Sequence, residues 1–206
     1  MHIVCADLEG VFVPEIWIAV SRKTGIEALQ KTTRDMPDYD ALMRMRLKIL
    51  DENNLKLADI ASVIATMDPL EGAPEFLAWL RETTQLIIVS DTFAQFAGPL
   101  MKKLGRPTIF CNELVVDGQG RVTGYTLRQK DGKRHVAAAL KSLNFTVIAM
   151  GDSYNDVTML QEADHGIFFR PPENVAAQFP RFPVTQDYRE LKERVMEAMA
   201  KPEARA

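Results

Sequence analysis

The chain has 206 residues, of which 47% are hydrophobic and 26% are charged, as in a globular protein with one sizeable core. A net charge of −3 with no basic block argues against nucleic acid as a partner, and no apolar run approaches the roughly 20 residues that a membrane span needs. There is no secretory signal pattern, and the two cysteines lie in apolar segments, so the sequence predicts a cytoplasmic protein.

Short, continuously apolar runs predict the strands of a buried sheet. The runs are residues 2–6, 86–90, 108–111, 145–150 and 166–169. Helical stretches between them are residues 74–83, 94–105 and 135–143. This alternation favours an α/β fold, a doubly wound parallel sheet with helices on both faces.

Two segments interrupt the alternation. Residues 14–71 have helical periodicity and no convincing core strand, which predicts a helical cap inserted after the first strand. The core would then comprise residues 1–13 and 72–206. Two alternating runs around DGQG, within residues 113–127, predict a small β-hairpin flap.

Polar residues follow three of the predicted strands. The first strand ends in Asp7-Leu8-Glu9-Gly10, the second in Ser90-Asp91-Thr92, and the third in GDSYND at residues 151–156. Ligands of open parallel sheets bind at the carboxyl ends of the strands. Three such endings at one edge therefore indicate an active site, although a single DLEG would usually be a surface turn.

The residue types at this edge favour phosphoryl transfer. Crowded carboxylates repel one another unless a cation neutralises them, and oxygen ligands without a His or Cys cluster favour Mg²⁺. Ser90 is expected at the N-terminus of the following helix, where backbone N–H groups favour a phosphate. The sequence has no GxxxxGK[ST] motif, so it does not support a P-loop mechanism.

The ordered set of DLEGV, IIVSDT, a lysine at 130 or 133 and GDSYND resembles the four motifs of haloacid-dehalogenase-type phosphatases. The cap placement resembles that of the phosphoserine phosphatases in this family. The resemblance implies a haloacid-dehalogenase-type core and small-molecule substrates. The implied activity takes the phosphoryl group of phosphoserine through an aspartyl-phosphate and passes it to homoserine or water.

The resemblance also implies roles for the acidic residues that match family motifs. Asp7 would be the nucleophile, and Glu9 would be the general acid and base, in place of the usual aspartate. Asp7, Asp152 and the backbone carbonyl of Glu9 would hold Mg²⁺. Asp156 would support the metal site or orient the lysine.

Further residues would contact the substrate. Ser90 and Lys133 would bind the phosphoryl group, and Asn155 would contact the substrate. Lys133 is preferred to Lys130 because it opens a predicted helix and so projects from a fixed element. Asp91 stands where this subgroup commonly has glycine, and it is included among the candidate substrate-binding residues.

Arg46 stands out in the predicted helix at residues 41–50. At about 100° per residue it falls within the apolar arc, whereas Arg44 and Lys48 lie on the opposite side. An unpaired cation in an apolar arc is costly, so Arg46 should have an anionic partner. The structural alternative is a salt bridge within the protein or a side chain that extends to solvent, and the functional alternative is a substrate carboxylate. The resemblance implies the substrate carboxylate. Glu15 is either a helix N-terminal residue or a ligand for the substrate ammonium group.

Two other functions fit the same residues. The first is the same chemistry on another small phosphomonoester. The second is a phosphorylation switch of the response-regulator kind, which also places acidic residues, a hydroxyl and a lysine at an α/β edge. That fold, however, has no helical cap and takes its phosphoryl group on a later strand. The sequence does not indicate an oligomeric state.

Overall fold

The computed structural model describes residues 1–32, 35–36 and 38–200, and these form a seven-stranded sheet flanked by helices. The strands are β1 (His2–Ala6), β2 (Gln85–Phe93), β3 (Ile109–Val116), β4 (Val122–Thr126), β5 (Thr146–Gly151), β6 (His165–Phe169) and β7 (Val184–Thr185). Their order across the sheet is β4-β3-β2-β1-β5-β6-β7. All neighbours are parallel except β3 and β4, which form the predicted hairpin.

Helices connect the strands. They are α1 (Ile16–Thr24), α2 (Tyr39–Glu52), α3 (Leu57–Thr66), α4 (Ala73–Thr83), α5 (Ala94–Lys103), α6 (Gly132–Ser142), α7 (Val157–Glu162), α8 (Glu173–Gln178) and α9 (Tyr188–Ala200). Two short 3₁₀ turns cover Glu27–Gln30 and Tyr154–Asp156. None of the helices in the described part of the chain is long and apolar enough to cross a membrane.

The core lies on both faces of the sheet, because alternate residues of a strand point to opposite sides. Val4 of β1 joins a large cluster that includes Phe76 of α4 and Leu191 of α9. Cys5, its neighbour, joins a second cluster with Leu140 of α6 and other residues. The predicted doubly wound α/β fold is therefore confirmed.

Between β1 and α4, the described residues form helices and turns, apart from one isolated bridge between Glu9 and Val13. Met43 of α2 and Ile64 of α3 belong to the same hydrophobic cluster as Leu100 of α5. The helical character of this insertion agrees with its sequence pattern. The boundary of a separate cap at residues 14–71 stays a prediction, because the two parts share one cluster.

The second strand is longer than predicted, and this corrects the expected place of Ser90. β2 continues to Phe93, and α5 begins at Ala94, so Ser90 lies inside the strand and not at a helix N-terminus. Residues 109–111 of the predicted run and the first half of the predicted hairpin also form one continuous strand, β3 (Ile109–Val116).

Candidate active site

The centre of the site is a buried pair formed by Asp7 and Lys133. Asp7 directly follows β1, and its backbone N–H donates to the carbonyl of Met150 in β5, at 3.0 Å. Lys133 lies in the first turn of α6, and its Nζ is 3.0 Å from Asp7 Oδ2 and 2.7 Å from Asp156 Oδ1. The side chains of Lys133 and Asp7 are only 3% and 5% exposed. Three segments of the chain thus meet at one ammonium group.

The surrounding carboxylates keep Lys133 charged. Burial alone would lower its pKa, but the charges of Asp156, Asp7 and Asp91 outweigh burial and raise the pKa well above its usual range. The alternative candidate, Lys130, is exposed at the edge of the same cavity. The geometry therefore brings Lys133, and not Lys130, onto the Asp7 carboxylate.

Three carboxylates could hold a metal ion. Oxygens of Asp7, Asp152 and Asp156 all lie within 4.8 Å of one another. Gly10, at φ +78°, leaves room for the Asp152 carboxylate, since a Cβ on this residue would overlap it. Asp156 is also engaged elsewhere, because its Oδ2 accepts from the backbone N–H groups of Asp152 and Ser153 at 2.9 and 3.0 Å.

The charge balance of this cluster fits a hard divalent cation. One ammonium group stands among four carboxylates, those of Asp7, Asp91, Asp152 and Asp156. Burial raises the pKa of Asp7 well above its usual range; Lys133 acts against this, and the other three carboxylates add to it. A further cation would relieve this repulsion, and carboxylate oxygens are the donors that Mg²⁺ prefers.

The side chain of Glu9 reaches the start of α1. Its Oε2 accepts a hydrogen bond from the backbone N–H of Ile16, the first residue of that helix, at 2.7 Å. Burial and then the charge of Glu15 raise the pKa of Glu9 to about 8, although this hydrogen bond and Arg46 lower it. Glu15 is the N-cap residue of α1 but makes no side-chain capping bond. Both carboxyl groups line the cavity that contains Asp7.

The end of β2 carries Ser90 and Asp91 into the same cavity. Ser90 is buried, and its Oγ accepts from the backbone N–H of Thr92 at 3.2 Å. Asp91 Oδ2 accepts from Asn155 Nδ2 at 2.9 Å and lies 3.6 Å from Lys133 Nζ. The structure therefore brings Asp91 and Asn155 together at the mouth of the site.

Arg46 is buried in the wall of the cavity, as its place in the helical pattern predicts. Its Nη2 donates to the carbonyl of Lys31 at 2.8 Å, and its guanidinium carbon is 4.6 Å from the centre of the Trp17 ring. Its Nε is buried without a hydrogen-bond partner. Among the described residues, no carboxylate forms an ion pair with Arg46, so the alternative of a structural salt bridge is not found there.

The cavity, about 640 Å³ in volume, is lined by every residue that the sequence nominated except Asp156, which is fully buried. These are Asp7, Glu9, Glu15, Arg46, Ser90, Asp91, Lys133, Asp152 and Asn155. Other residues of the wall were not predicted from the sequence, among them Tyr39 and Asn112. Asn112 Nδ2 donates to the carbonyl of Asp91 at 3.1 Å. The sequence feature that could have identified Asn112 is its amide side chain within the apolar run of β3. The feature for Tyr39 is its spacing, because it lies seven residues before Arg46 and so on the same helix face.

Comparison with known proteins gives consistent matches. The family model of haloacid dehalogenase-like hydrolases matches residues 15–161. A curated protein of Pseudomonas aeruginosa, "Phosphoserine phosphatase ThrH", is 59% identical over 201 residues, which cover 98% of each chain. A phosphoserine phosphatase of Pseudomonas syringae pv. tomato is 58% identical over 198 residues, which cover 96% of this chain and 84% of that protein.

Solved structures of similar fold carry related titles. A phospho-aspartyl intermediate analogue of phosphoserine phosphatase has a TM-score of 0.76 at 20% identity and covers 93% of this chain and 97% of its own. A substrate-bound phosphoserine phosphatase complex has a TM-score of 0.75 at 19% identity, with the same coverage. At these identities the likeness establishes the fold.

Proposed function

Because the chain belongs to the haloacid dehalogenase-like hydrolases, we propose that it is a Mg²⁺-dependent phosphoserine phosphatase that also transfers the phosphoryl group to homoserine. The observation that carries the substrate assignment is the buried guanidinium of Arg46. It faces the cavity of Asp7 with a free Nε and no ion-pair partner among the described residues. A substrate carboxylate would supply the missing anion.

The reaction would proceed in two steps through Asp7. In the first, a carboxylate oxygen of Asp7 bonds to phosphorus while the bond from phosphorus to the serine oxygen breaks, and Glu9 gives its proton to that oxygen. In the second, Glu9 takes the proton of an acceptor hydroxyl or water, whose oxygen attacks phosphorus and releases Asp7. Glu9 lines the same cavity as Asp7, as this role needs.

The phosphoryl group would be held by Ser90 and by the ammonium group of Lys133. Mg²⁺ would be held by Asp7, Asp152 and the backbone carbonyl of Glu9, and when bound it would neutralise charge on the phosphoryl oxygens. Because both oxygens of Asp156 are already engaged, this residue would orient Lys133 and the loop after β5.

The amino-acid part of the substrate would bind along the opposite wall. Arg46 would bind the carboxylate with two parallel hydrogen bonds, and Glu15, whose side chain makes no capping bond, would accept from the ammonium group. Asp91 and Asn155, joined to each other beside Lys133, would contact the substrate near its phosphate.

Transfer to homoserine is supported by the motif pattern, which resembles that of a bifunctional phosphoserine–homoserine phosphotransferase. Homoserine carries the same carboxylate and ammonium groups as serine, so Arg46 and Glu15 could hold it as acceptor. The response-regulator alternative is excluded by the family. The second candidate function is the same chemistry on another small phosphomonoester, and the experiment must distinguish that substrate from phosphoserine.

The test is a substrate panel with and without Mg²⁺. Phosphoserine, phosphoethanolamine and p-nitrophenyl phosphate are each incubated with the protein, with or without homoserine, and all phosphorylated products are identified by mass spectrometry. We expect Mg²⁺-dependent turnover with the highest kcat/KM for phosphoserine, and phosphohomoserine when homoserine is present. Equal or better turnover of the esters that lack a carboxylate would contradict the substrate assignment. Release of free phosphate alone would contradict the transferase activity.

A further inference from the structure

A hydrogen bond joins the helical insertion to the β3–β4 hairpin. Tyr125 Oη in β4 donates to Asp40 Oδ1 in the first turn of α2. The Tyr125 ring packs edge-on against the rings of Tyr39 and Phe93, with centroids 5.9 and 6.2 Å apart. Phe93 is the last residue of β2, the strand that carries Ser90. Tyr125 therefore contacts both the insertion and the end of the phosphoryl-binding strand.

The end of α2 that Tyr125 contacts is connected to Arg46 through a rigid helix. Tyr39 and Arg46 are seven residues apart, so they lie on the same helix face, separated by about 10 Å along the axis. Tyr39 Oη also donates to the backbone carbonyl of Asp91, at 3.5 Å. The N-terminal end of α2 thus contacts β2 through Tyr39, and the same helix face carries the guanidinium group of Arg46 two turns later.

We propose that Asp40 and Tyr125 are positioning residues for Arg46. Their hydrogen bond fixes α2 relative to β2, and so fixes the separation between the guanidinium group and the phosphoryl-binding residues. This inference rests on the proposed function, in which Arg46 binds the substrate carboxylate. Carboxylate and phosphate of phosphoserine are joined by a short covalent chain, so only a narrow range of separations lets both ends bind at once.

The contacts of the Arg46 guanidinium group explain why the position of the insertion determines the position of this group. Arg46 is held by the ring of Trp17 and the carbonyl of Lys31, both within the insertion, so it moves with the insertion. The hairpin makes a second hydrogen bond with the insertion, where the backbone N–H of Leu57 donates to the carbonyl of Gly120 at 3.0 Å. Loss of one of these two hydrogen bonds should therefore shift α2 without detaching it.

The first experiment replaces Tyr125 with Phe, which keeps the ring and removes the hydroxyl. We expect kcat/KM for phosphoserine to fall about five- to tenfold, the scale of one lost hydrogen bond, and mainly through KM. Turnover of p-nitrophenyl phosphate, which has no carboxylate, should stay within about twofold. Thr123→Val is the matched control, because it removes a hydroxyl group that donates a hydrogen bond to the Val115 carbonyl within the same hairpin. This variant should leave kcat/KM unchanged for both substrates.

Double variants separate positioning from general destabilisation. Asp40→Ala should reproduce the loss of Tyr125→Phe, with no further loss when the two are combined, whereas Asp40→Asn keeps an acceptor oxygen and should retain most of the activity. In an Arg46→Ala background, Tyr125→Phe should change kcat/KM for phosphoserine by less than about twofold, since the carboxylate ligand is already gone. Thermal unfolding of each variant is measured in parallel.

Two results would overturn the inference. One is that Tyr125→Phe lowers kcat/KM equally for phosphoserine and p-nitrophenyl phosphate. The other is that Tyr125→Phe lowers kcat/KM for phosphoserine by the same factor in the Arg46→Ala background as in the native protein. If Arg46→Ala selectively impairs phosphoserine but Tyr125→Phe does not, the positioning inference alone fails. If Arg46→Ala shows no selectivity for phosphoserine, the proposed function fails and the inference fails with it.

Discussion

The Nζ atom of Lys133 lies 3.0 Å from Oδ2 of Asp7, and both side chains are almost fully buried. This contact joins the end of β1 to the first turn of α6. It places a fixed positive charge beside the carboxylate that would attack phosphorus. The same ammonium group, 2.7 Å from Asp156, also neutralises the carboxylate that holds the loop after β5.

Replacement of Lys133 by Met should therefore impair both stability and activity. Removing one partner of a buried ion pair costs about 3–5 kcal/mol, because the remaining charges are left uncompensated. Thermal and denaturant unfolding would measure this loss, and kcat/KM should fall by about two orders of magnitude or more. Lys130→Met, at the exposed alternative lysine, is the control and should leave both quantities nearly unchanged. Comparable losses in the two variants would contradict the assignment.

The covalent intermediate gives a second prediction. Asp7→Asn should abolish turnover and phosphoenzyme formation while the protein stays folded, because an amide is not a nucleophile for phosphorus. Mass spectrometry of the acid-quenched native protein, incubated with phosphoserine, should find phosphate on Asp7. Phosphate on Asp91 or Asp152 would show that the nucleophile is wrongly assigned.

Much of the site could be predicted because its signals are local in the sequence. Asp7 and Asp152 each follow a short apolar run, and parallel strands bring their ends to one edge. Helical periodicity placed Arg46 among apolar residues, and it is buried. Its partners could not be predicted, because Trp17 and the carbonyl of Lys31 reach it only through the packing of separate elements.

The error at Ser90 has another physical cause. The apolar pattern predicts a strand from its buried side chains, so the predicted strand ends at the first polar residue. Backbone pairing does not depend on side-chain polarity, so β2 continues alongside β3 to the pair of Phe93 and Asn112, with a register shift on the way. The strand β7 (Val184–Thr185) has only two residues, too few to show any period.

Arg46→Ala tests the carboxylate ligand directly. We expect kcat/KM for phosphoserine to fall by a factor that corresponds to about 2–4 kcal/mol of lost transition-state stabilisation, the scale of a lost buried charge pair. The loss should be smaller for a phosphate ester without a carboxylate. Arg44→Ala is the matched control, since Arg44 is exposed on the same helix. An equal loss with both esters would mean that Arg46 is structural.

Gly10→Ala tests the metal site without removing a ligand. Its φ of +78° already disfavours alanine, and the added Cβ would overlap the Asp152 carboxylate, which must then move. We expect a lower unfolding temperature and at least about a tenfold higher Mg²⁺ concentration for half-maximal thermal stabilisation. Gly118→Ala, in the hairpin turn with open space around its Cβ position, is the control. Unchanged Mg²⁺ dependence in Gly10→Ala would argue against Asp152 as a ligand.

The length of Glu9 supplies the last prediction. Its carboxylate reaches the backbone N–H of Ile16 at 2.7 Å, and Asp would be shorter by one methylene, about 1.3–1.5 Å of reach. In the proposed mechanism the longer side chain would be less well placed to activate a small water molecule, whereas homoserine, which would be held by its own carboxylate and ammonium groups, would depend less on that placement. Glu9→Asp should therefore shift the products from phosphohomoserine toward inorganic phosphate without blocking aspartyl-phosphate formation. The measurement is the ratio of the two products at fixed homoserine concentration, and an unchanged ratio would show that the length of Glu9 does not select the acceptor.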